Sequence, residues 1–288
     1  MCHIYGTVVV KLFADTWSLF VRRHDILHSR IVDTAEGLQQ LPKSNPSFSM
    51  TEVEATETMF QSEVDSITKA ARSLVFELEA GELIRGWLLK SPRGWRFFLA
   101  SRHLAGDRAS VPTIFDETIA IYKSLVKGEA VESALPPVPY QFIDYTLWQE
   151  QWMAKPELIQ PHVAYWKSRL AGIPEAVTLL PMALVATRPA MKQYTVQSVP
   201  LHLHTSLAMK LKAFCKSEAV TPFMFMASAV CALVHRFTGD NDIVIGITDG
   251  DRGHTEFDRL VGFTVNMLAI RSIITKDMAY SRITARHA

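Results

Sequence analysis

A mixed fold, α/β or α+β, with two lobes is the class this sequence predicts, and three observations predict it. Runs rich in β-branched and aromatic residues alternate with helical apolar stripes in both halves of the chain. Ile84–Leu89 and Trp95–Ala100 flank the turn-forming Lys90-Ser-Pro-Arg-Gly94, the pattern of a β-hairpin. A break at Leu179–Tyr194 reads as a linker, which divides the chain into lobes at 1–178 and 179–288.

Composition supports a sizeable core and removes several classes of function. Of 288 residues, 48% are hydrophobic and 20% charged, which excludes disorder, collagen and coiled coil. Lys and Arg total 30 against 29 Asp and Glu, a net charge of +1 without a basic block, so nucleic acid is not expected as a partner. Cys2, Cys215 and Cys231 form no CxxC pair, which argues against a disulfide framework and a structural zinc site. The most apolar run, Phe223–Val234, is short of the roughly 20 residues a membrane span needs and is expected to be a buried helix. The N-terminus lacks a basic, then apolar, leader. The expectation is a cytoplasmic protein with no membrane partner and no metal.

Taken in order, His3–Val10 reads as a strand and Leu12–Val21 as a helix with Leu12, Phe13, Trp17, Phe20 and Val21 on one face. Gly37–Glu54 reads as loop, and Ala55–Val75 as a helix. The hairpin follows, its second strand running into Ser101–Ser110; Ser110 is expected as the N-cap of a helix that ends near Gly128. Pro136, Pro137 and Pro139 mark an extended crossing, then helices span Phe142–Met153 and Glu157–Leu170. Beyond the linker come helices Ser206–Lys216 and Pro222–Phe237, the latter with Thr221 as N-cap and Gly239 beyond its end. Strands Asp242–Ile247 and Phe263–Ile270 complete the set.

The chemistry candidate is His103-Leu-Ala-Gly-Asp107. An imidazole titrates near pH 6.5, so a His facing a cleft can take a proton from an attacking amine, alcohol or thiol at neutral pH. A carboxylate four residues on can hold the loop or set the ring's tautomer. Asp107 has a plainer reading beside this one, as a carboxylate stabilised at a helix N-terminus. A second HxxxD, His254–Asp258, lies in the polar run Asp249–Glu256, which reads as a solvated surface turn. Cys215 and Cys231 fall on apolar helix faces and read as core. The aromatic group Tyr145, Trp148, Trp152, Tyr165 and Trp166 suits helix packing or the wall of a ligand channel. Arg22 and Arg23 read as a solvated last turn. The sequence contains no GxSxG, Walker, GxGxxG or HExxH signature.

Several segments together resemble the condensation domains of nonribosomal peptide synthetases. Arg23-His-Asp-Ile-Leu-His-Ser-Arg30 is similar to the family's RHExLR segment, and Arg102-His-Leu-Ala-Gly-Asp-Arg108 to its HHxxxDG motif. Phe142-Ile-Asp-Tyr-Thr-Leu-Trp148 resembles YxDYxxW, and the run Val261–Arg271 resembles the IGxFVNTxxxR strand, whose Asn is Asn266. Gly250-Asp-Arg252 and Trp148-Gln-Glu-Gln-Trp152 most resemble fungal polyketide-peptide hybrid synthases. The resemblance implies a chloramphenicol-acetyltransferase-like fold of two lobes with the motif His at their junction. It implies an acyltransferase in secondary-metabolite biosynthesis: an acceptor amine, or a hydroxyl, attacks a donor thioester. Both substrates would be carried on phosphopantetheine arms of carrier proteins or neighbouring modules, with no cofactor bound directly.

By position the resemblance implies that His103 is the catalytic residue and Asp107 the structural Asp that pairs with an Arg of the RHxxL region, matched here by Arg23. Arg102, Gly106, Arg108, Trp148 and Asn266 are candidates for the substrate channel. Arg102 stands where the family has its first His and Arg108 where it has Gly, and a long cationic side chain at either place would narrow a channel or change its selectivity. The SxAQxRLW motif and the motifs that follow Arg271 have no counterpart, so the resemblance implies a chain truncated at both ends with an incomplete second lobe. Two alternatives stand beside this reading: an impaired fragment serving as a carrier or partner docking module, and an acyltransferase that uses CoA.

Overall fold

The structure, a computed structural model, describes residues 1–173, 199–250 and 252–275. The expected linker Leu179–Tyr194 and the expected boundary between 178 and 179 lie outside the described residues. By its contacts the chain divides into two units, Met1–Pro156 with Gly250–Asn266, and Glu157–Asp249 with Met267–Ala288.

The first unit is built on a four-stranded sheet in the order β1 (Cys2–Ile4), β6 (Gly94–Ser101), β5 (Ile84–Ser91) and β4 (Ser49–Glu54). Its centre is the expected hairpin, β5 (Ile84–Ser91) and β6 (Gly94–Ser101), in antiparallel register from Ile84 opposite Ser101 to Ser91 opposite Gly94. Gly94, at φ +98°, closes the two-residue turn with a backbone that other residues rarely adopt. The two-residue period of the strands sorts their side chains between two cores. Leu88 and Phe97 face one way, against Trp17, Phe20 and Val21 of α1 (Val10–Arg23) and Ile121 of α3 (Ser110–Lys127). Trp87, Leu89 and Phe98 face the other way, against Phe60 and Ile67 of α2 (Phe60–Ser73). Leu83, Leu88, Leu89, Phe20 and Ile121 are fully buried, each side chain contributing about 1.5–3 kcal/mol by leaving water.

Several boundaries differ from expectation for local reasons. The first strand, β1 (Cys2–Ile4), stops short of Val10 because Gly6 turns the chain at φ +93° and the helix begins at Val10. Gly37–Glu54 is not loop: it holds β3 (Gly37–Pro42), paired with β2 (Ser29–Thr34) as a separate ribbon, and β4 (Ser49–Glu54), which runs parallel to β5 at the sheet edge. Neither β3 nor β4 buries a full face, so their composition stays polar. The helix expected from Ala55 begins at Phe60, because the Ala55 N–H extends the sheet by donating to Lys90 O. Ser110 is not the N-cap of α3 but its first residue, and its hydroxyl is engaged elsewhere. α3 ends at Gly128, left-handed as expected. A short α4 (Val131–Ala134) precedes α5 (Phe142–Met153), whose first turn is closed by a capping box of Gln141 and Asp144.

The second unit takes up α6 (Pro156–Arg169) from Glu157, then α7 (Thr205–Ser217), α8 (Pro222–Thr238) and the paired strands β7 (Asp242–Asp249) and β8 (Asn266–Ile273), the last from Met267. Thr221 caps α8 by accepting from the Met224 N–H at 3.2 Å, and Gly239 ends it in the left-handed region. Cys215 and Cys231 are buried, as expected of core residues. Phe223–Val234 is not buried all round. Met224, Ala227, Ser228, Cys231 and Val234 face inward, whereas Phe223, Val230 and Leu233 are exposed. Arg271 grips Asp242 with two hydrogen bonds of 2.8 and 2.6 Å and donates to the carbonyls of Arg169 and Ala171 at the end of α6. Among the described residues no single helix is long and apolar enough to cross a membrane.

Candidate active site

The HxxxD loop begins where β6 leaves the sheet. Arg102 is still tied to the sheet through its N–H, which donates to Leu83 O at 2.8 Å, and His103–Ala105 then make one tight helical turn. Ala105 is buried and pins the turn to the core, while the His103 ring stays exposed. The loop closes on Asp107, whose side chain is wholly inaccessible.

Five contacts hold that carboxylate. Oδ1 accepts from the Ser110 N–H and hydroxyl, both at 2.9 Å, and from Arg252 Nη2 at 3.2 Å. Oδ2 accepts from the Thr264 N–H at 3.0 Å and its hydroxyl at 2.9 Å. Burial pushes the Asp107 carboxyl toward a higher pKa, but the hydrogen bonds from Thr264 and Ser110 outweigh it and hold the group below the usual carboxylate range. Arg252 is buried in turn, and its Nη1 donates to the carbonyls of Phe257, Asp258 and Leu260. The loop is thereby fastened to 252–264. This also explains why β8 starts at Asn266 rather than at the expected Phe263: residues up to Thr264 turn aside to meet Asp107.

The partner of Asp107 is therefore Arg252, and the expected pairing with Arg23 is corrected. Arg23 Nε donates to Glu117 at 2.8 Å, and His24 Nε2 lies 2.9 Å from the same carboxylate oxygen. Burial pushes the Glu117 carboxyl up, but the hydrogen bond and charge of His24 and Arg23 bring it below the ordinary range. Arg23 also donates to Pro136 O, so it is not the solvated last-turn residue its position suggests; it ties α1 to α3 and to the proline crossing.

His103 Nδ1 lies 3.2 Å from Gly106 O, and a carbonyl oxygen only accepts, so Nδ1 is the donor of this pair, and in the neutral imidazole Nε2 then keeps the lone pair. The ring meets that of Phe263 in a T-shaped contact, with centroids 4.7 Å apart at 78°. His103 and Arg102 line a cavity of about 890 Å³ with Phe98, Leu104 and Phe263 on its walls and Arg72 from α2. Of the other candidates, Gly106 supplies the carbonyl that orients His103, in extended backbone at φ 172°. Arg108 is exposed beside the loop, and Asn266 is exposed at the start of β8. Trp148 does not reach the His103 cavity. It packs at 5.8 Å from Tyr145 and 5.4 Å from Phe257 and lines a second, smaller cavity. Among the described residues no group of three or more His, Cys, Asp or Glu is placed to hold a metal ion.

The model of the Condensation domain matches residues 1–287. The chain belongs to the condensation domain family. Members of this family form amide bonds between carrier-tethered substrates in nonribosomal peptide synthetases. The chain is 28% identical over 283 residues to the hybrid PKS-NRPS synthetase pynA of Aspergillus niger, covering 98% of this chain and 7% of the relative. It is 32% identical over 206 residues to malpibaldin synthetase of Mortierella alpina, covering 71% of this chain and 4% of that protein. Phosphinothricin tripeptide synthetase PhsC of Streptomyces viridochromogenes is 29% identical over 291 residues, covering 97% of this chain and 26% of the relative. The chain thus spans a small part of the curated synthetases it matches, which come from fungi and bacteria.

Solved structures agree on the fold. The X-domain from teicoplanin biosynthesis superimposes with a TM-score of 0.83 at 22% identity, covering 98% of this chain and 62% of that one. The first condensation domain of the calcium-dependent antibiotic synthetase gives 0.80 at 18% identity, covering 98% and 65%. The condensation domain thus has the chloramphenicol-acetyltransferase-like fold.

Arg252, Ser110 and Thr264, which hold Asp107, are not marked for that role by the sequence. Arg252 was hidden in a Gly-flanked polar run that reads as solvated, and His254 and Glu256 of that run are indeed exposed. The available signal was electrostatic: buried charges are paired, and Arg252 lies nine residues before Val261.

Proposed function

We propose that this condensation domain joins an acyl donor to an acceptor amine, both tethered to carrier proteins or neighbouring modules by phosphopantetheine arms, in the cytoplasm. His103 Nε2 takes the proton from the acceptor nitrogen as that nitrogen attacks the thioester carbonyl. The tetrahedral intermediate then collapses, the C–S bond breaks, and the departing sulfur receives the proton. The products are an amide and a free carrier thiol, with no oxidant or further reactant needed. An acceptor hydroxyl would give an ester by the same steps.

The observation that carries this reading is the contact that orients His103. Its Nδ1–H is given to Gly106 O at 3.2 Å, leaving Nε2 as a base on the wall of a cavity of about 890 Å³. Asp107 acts at one remove, as a positioning residue that fastens the loop through Arg252, Ser110 and Thr264. Arg102, on the same cavity wall, is proposed to select among substrates. Holding both reactants by tethers would supply much of the rate.

The test is the chain incubated with acyl-loaded donor carrier and amine-loaded acceptor carrier, with amide product measured by mass. The wild type forms amide, and His103→Ala lowers the rate about 10²- to 10⁴-fold, the range for general base catalysis. Equal product from both proteins, or none from the wild type, overturns the reading.

A further inference from the structure

The second HxxxD of the chain lies outside the lining of the His103 cavity and borders a cavity of its own. This cavity, of about 290 Å³, is lined by Tyr140, Asp144, Trp148, His254, Glu256 and Phe257, all within the first unit. Its walls are aromatic and set across one another. Tyr140 and Phe257 stand 5.6 Å apart at 68°, and Trp148 and His254 stand 5.0 Å apart at 86°. The third contact, Trp148 to Phe257 at 5.4 Å and 53°, joins the two pairs.

The charge of the cavity is one-sided. Its lining includes two carboxylates and neither Lys nor Arg. Asp144 Oδ2 accepts from the Gln141 N–H at 2.7 Å as part of the α5 cap, which leaves Oδ1 for a ligand. Glu256 is exposed and pairs with no cation among the described residues. Arg252, which does not line the cavity, donates to Asp107 and to backbone carbonyls, that of Phe257 included. The frame is firm: Phe257 is buried, and its carbonyl is held by Arg252 at 2.8 Å.

Aromatic faces attract cations through their quadrupole, and a carboxylate at the rim adds a charge partner. We propose that this cavity is a binding site for an organic cation, a quaternary ammonium or the guanidinium of an arginine side chain, separate from the His103 cavity. The faces of Tyr140 and Trp148 would contact the cation while Glu256 and Asp144 Oδ1 balance its charge. A neutral molecule of the same shape would gain the apolar contact alone.

The test follows the Trp148 indole N–H resonance of the full chain, assigned by its loss in Trp148→Leu. The probes are choline, its neutral isostere 3,3-dimethylbutan-1-ol, and Nα-acetyl-arginine methylamide, all at constant ionic strength. Saturable shifts with one or both cations and not with the alcohol support the site. The stronger of the two tells whether a free ammonium compound or an arginine side chain is the better occupant. Glu256→Gln, a substitution at an exposed position, should weaken binding roughly twofold to fivefold. Trp148→Leu, followed by calorimetry, should weaken it about fivefold or more. Equal shifts with the alcohol, no shift with either cation, or unchanged affinity in Glu256→Gln overturns the proposal. Because His103→Ala should leave this binding unaltered, failure here and failure of the condensation reading are distinguishable.

Discussion

Replacing Arg252 by Met removes the cation that faces Asp107 while keeping much of the side chain's bulk. Asp107 and Arg252 side chains are 0% and 4% exposed, so water does not take the place of the lost guanidinium. Asp107 keeps its four bonds from Ser110 and Thr264 but loses the compensating charge, and the carbonyls of Phe257, Asp258 and Leu260 lose their donor. Breaking a buried pair from one side costs about 3–5 kcal/mol. At roughly 2–4 °C per kcal/mol for a chain of this size, the melting temperature should fall by about 6–20 °C. The assay is a double-mutant cycle by thermal or urea unfolding with Arg252→Met, Asp107→Asn and the pair. Neutralising Asp107 removes the stranded charge, so the double variant should lose less than the sum of the singles, by about 0.5–3 kcal/mol. Arg23→Met, whose partner is Glu117, should show no such coupling to Asp107. Additive losses for Arg252 and Asp107, or coupling of Asp107 to Arg23 instead, would refute the assignment.

Asp107 has its carboxyl pKa lowered in the folded chain, so the stability it adds is present above the unfolded value of about 3.9 and is lost as pH falls below it; in urea titrations the gap between wild type and Asp107→Asn should narrow below about pH 4. Burial lowers the pKa of His28, so folding favours its neutral form, and that stability is present above about pH 6.5 and declines as pH falls. His28→Gln should flatten this part of the profile, and an unchanged slope would argue against it. In Gly86→Ala the new Cβ would stand 2.6 Å from the Phe48 ring and 2.9 Å from that of Phe97. The strain should cost about 1–3 kcal/mol, with part of it recovered by Phe48→Leu.

What was legible in the sequence was whatever local pattern determines. The hairpin of Ile84–Ser91 and Gly94–Ser101, helix Phe142–Met153 and the Thr221 cap of α8 all follow from periodicity and turn chemistry. The edge elements β3 and β4 were not legible, because strands that bury little carry few apolar residues to mark them. The motif text placed His103 and Asp107 on one loop, but not the hydrogen bond that sets the tautomer of His103 or the partner of Asp107. Arg23 and Arg252 are both arginines in polar surroundings by sequence, 84 and 145 residues from Asp107, and only the tertiary path of 252–264 past the loop chooses between them. The same holds for Trp148: its helix was foreseen, but the cavity it lines depends on where residues 254–257 pass.

The proposed general-base role of His103 requires an unprotonated Nε2 while Nδ1 is held by Gly106. Long-range proton–nitrogen correlation spectra of the wild type at pH above the imidazole range, with the His103 signals identified by their loss in His103→Ala, measure this directly. A protonated Nδ1 and a bare Nε2 are predicted, and Arg252→Met should blur that preference by loosening the loop. The opposite tautomer, with the proton on Nε2, would contradict the account, because the atom assigned as base would have no lone pair to accept the acceptor's proton.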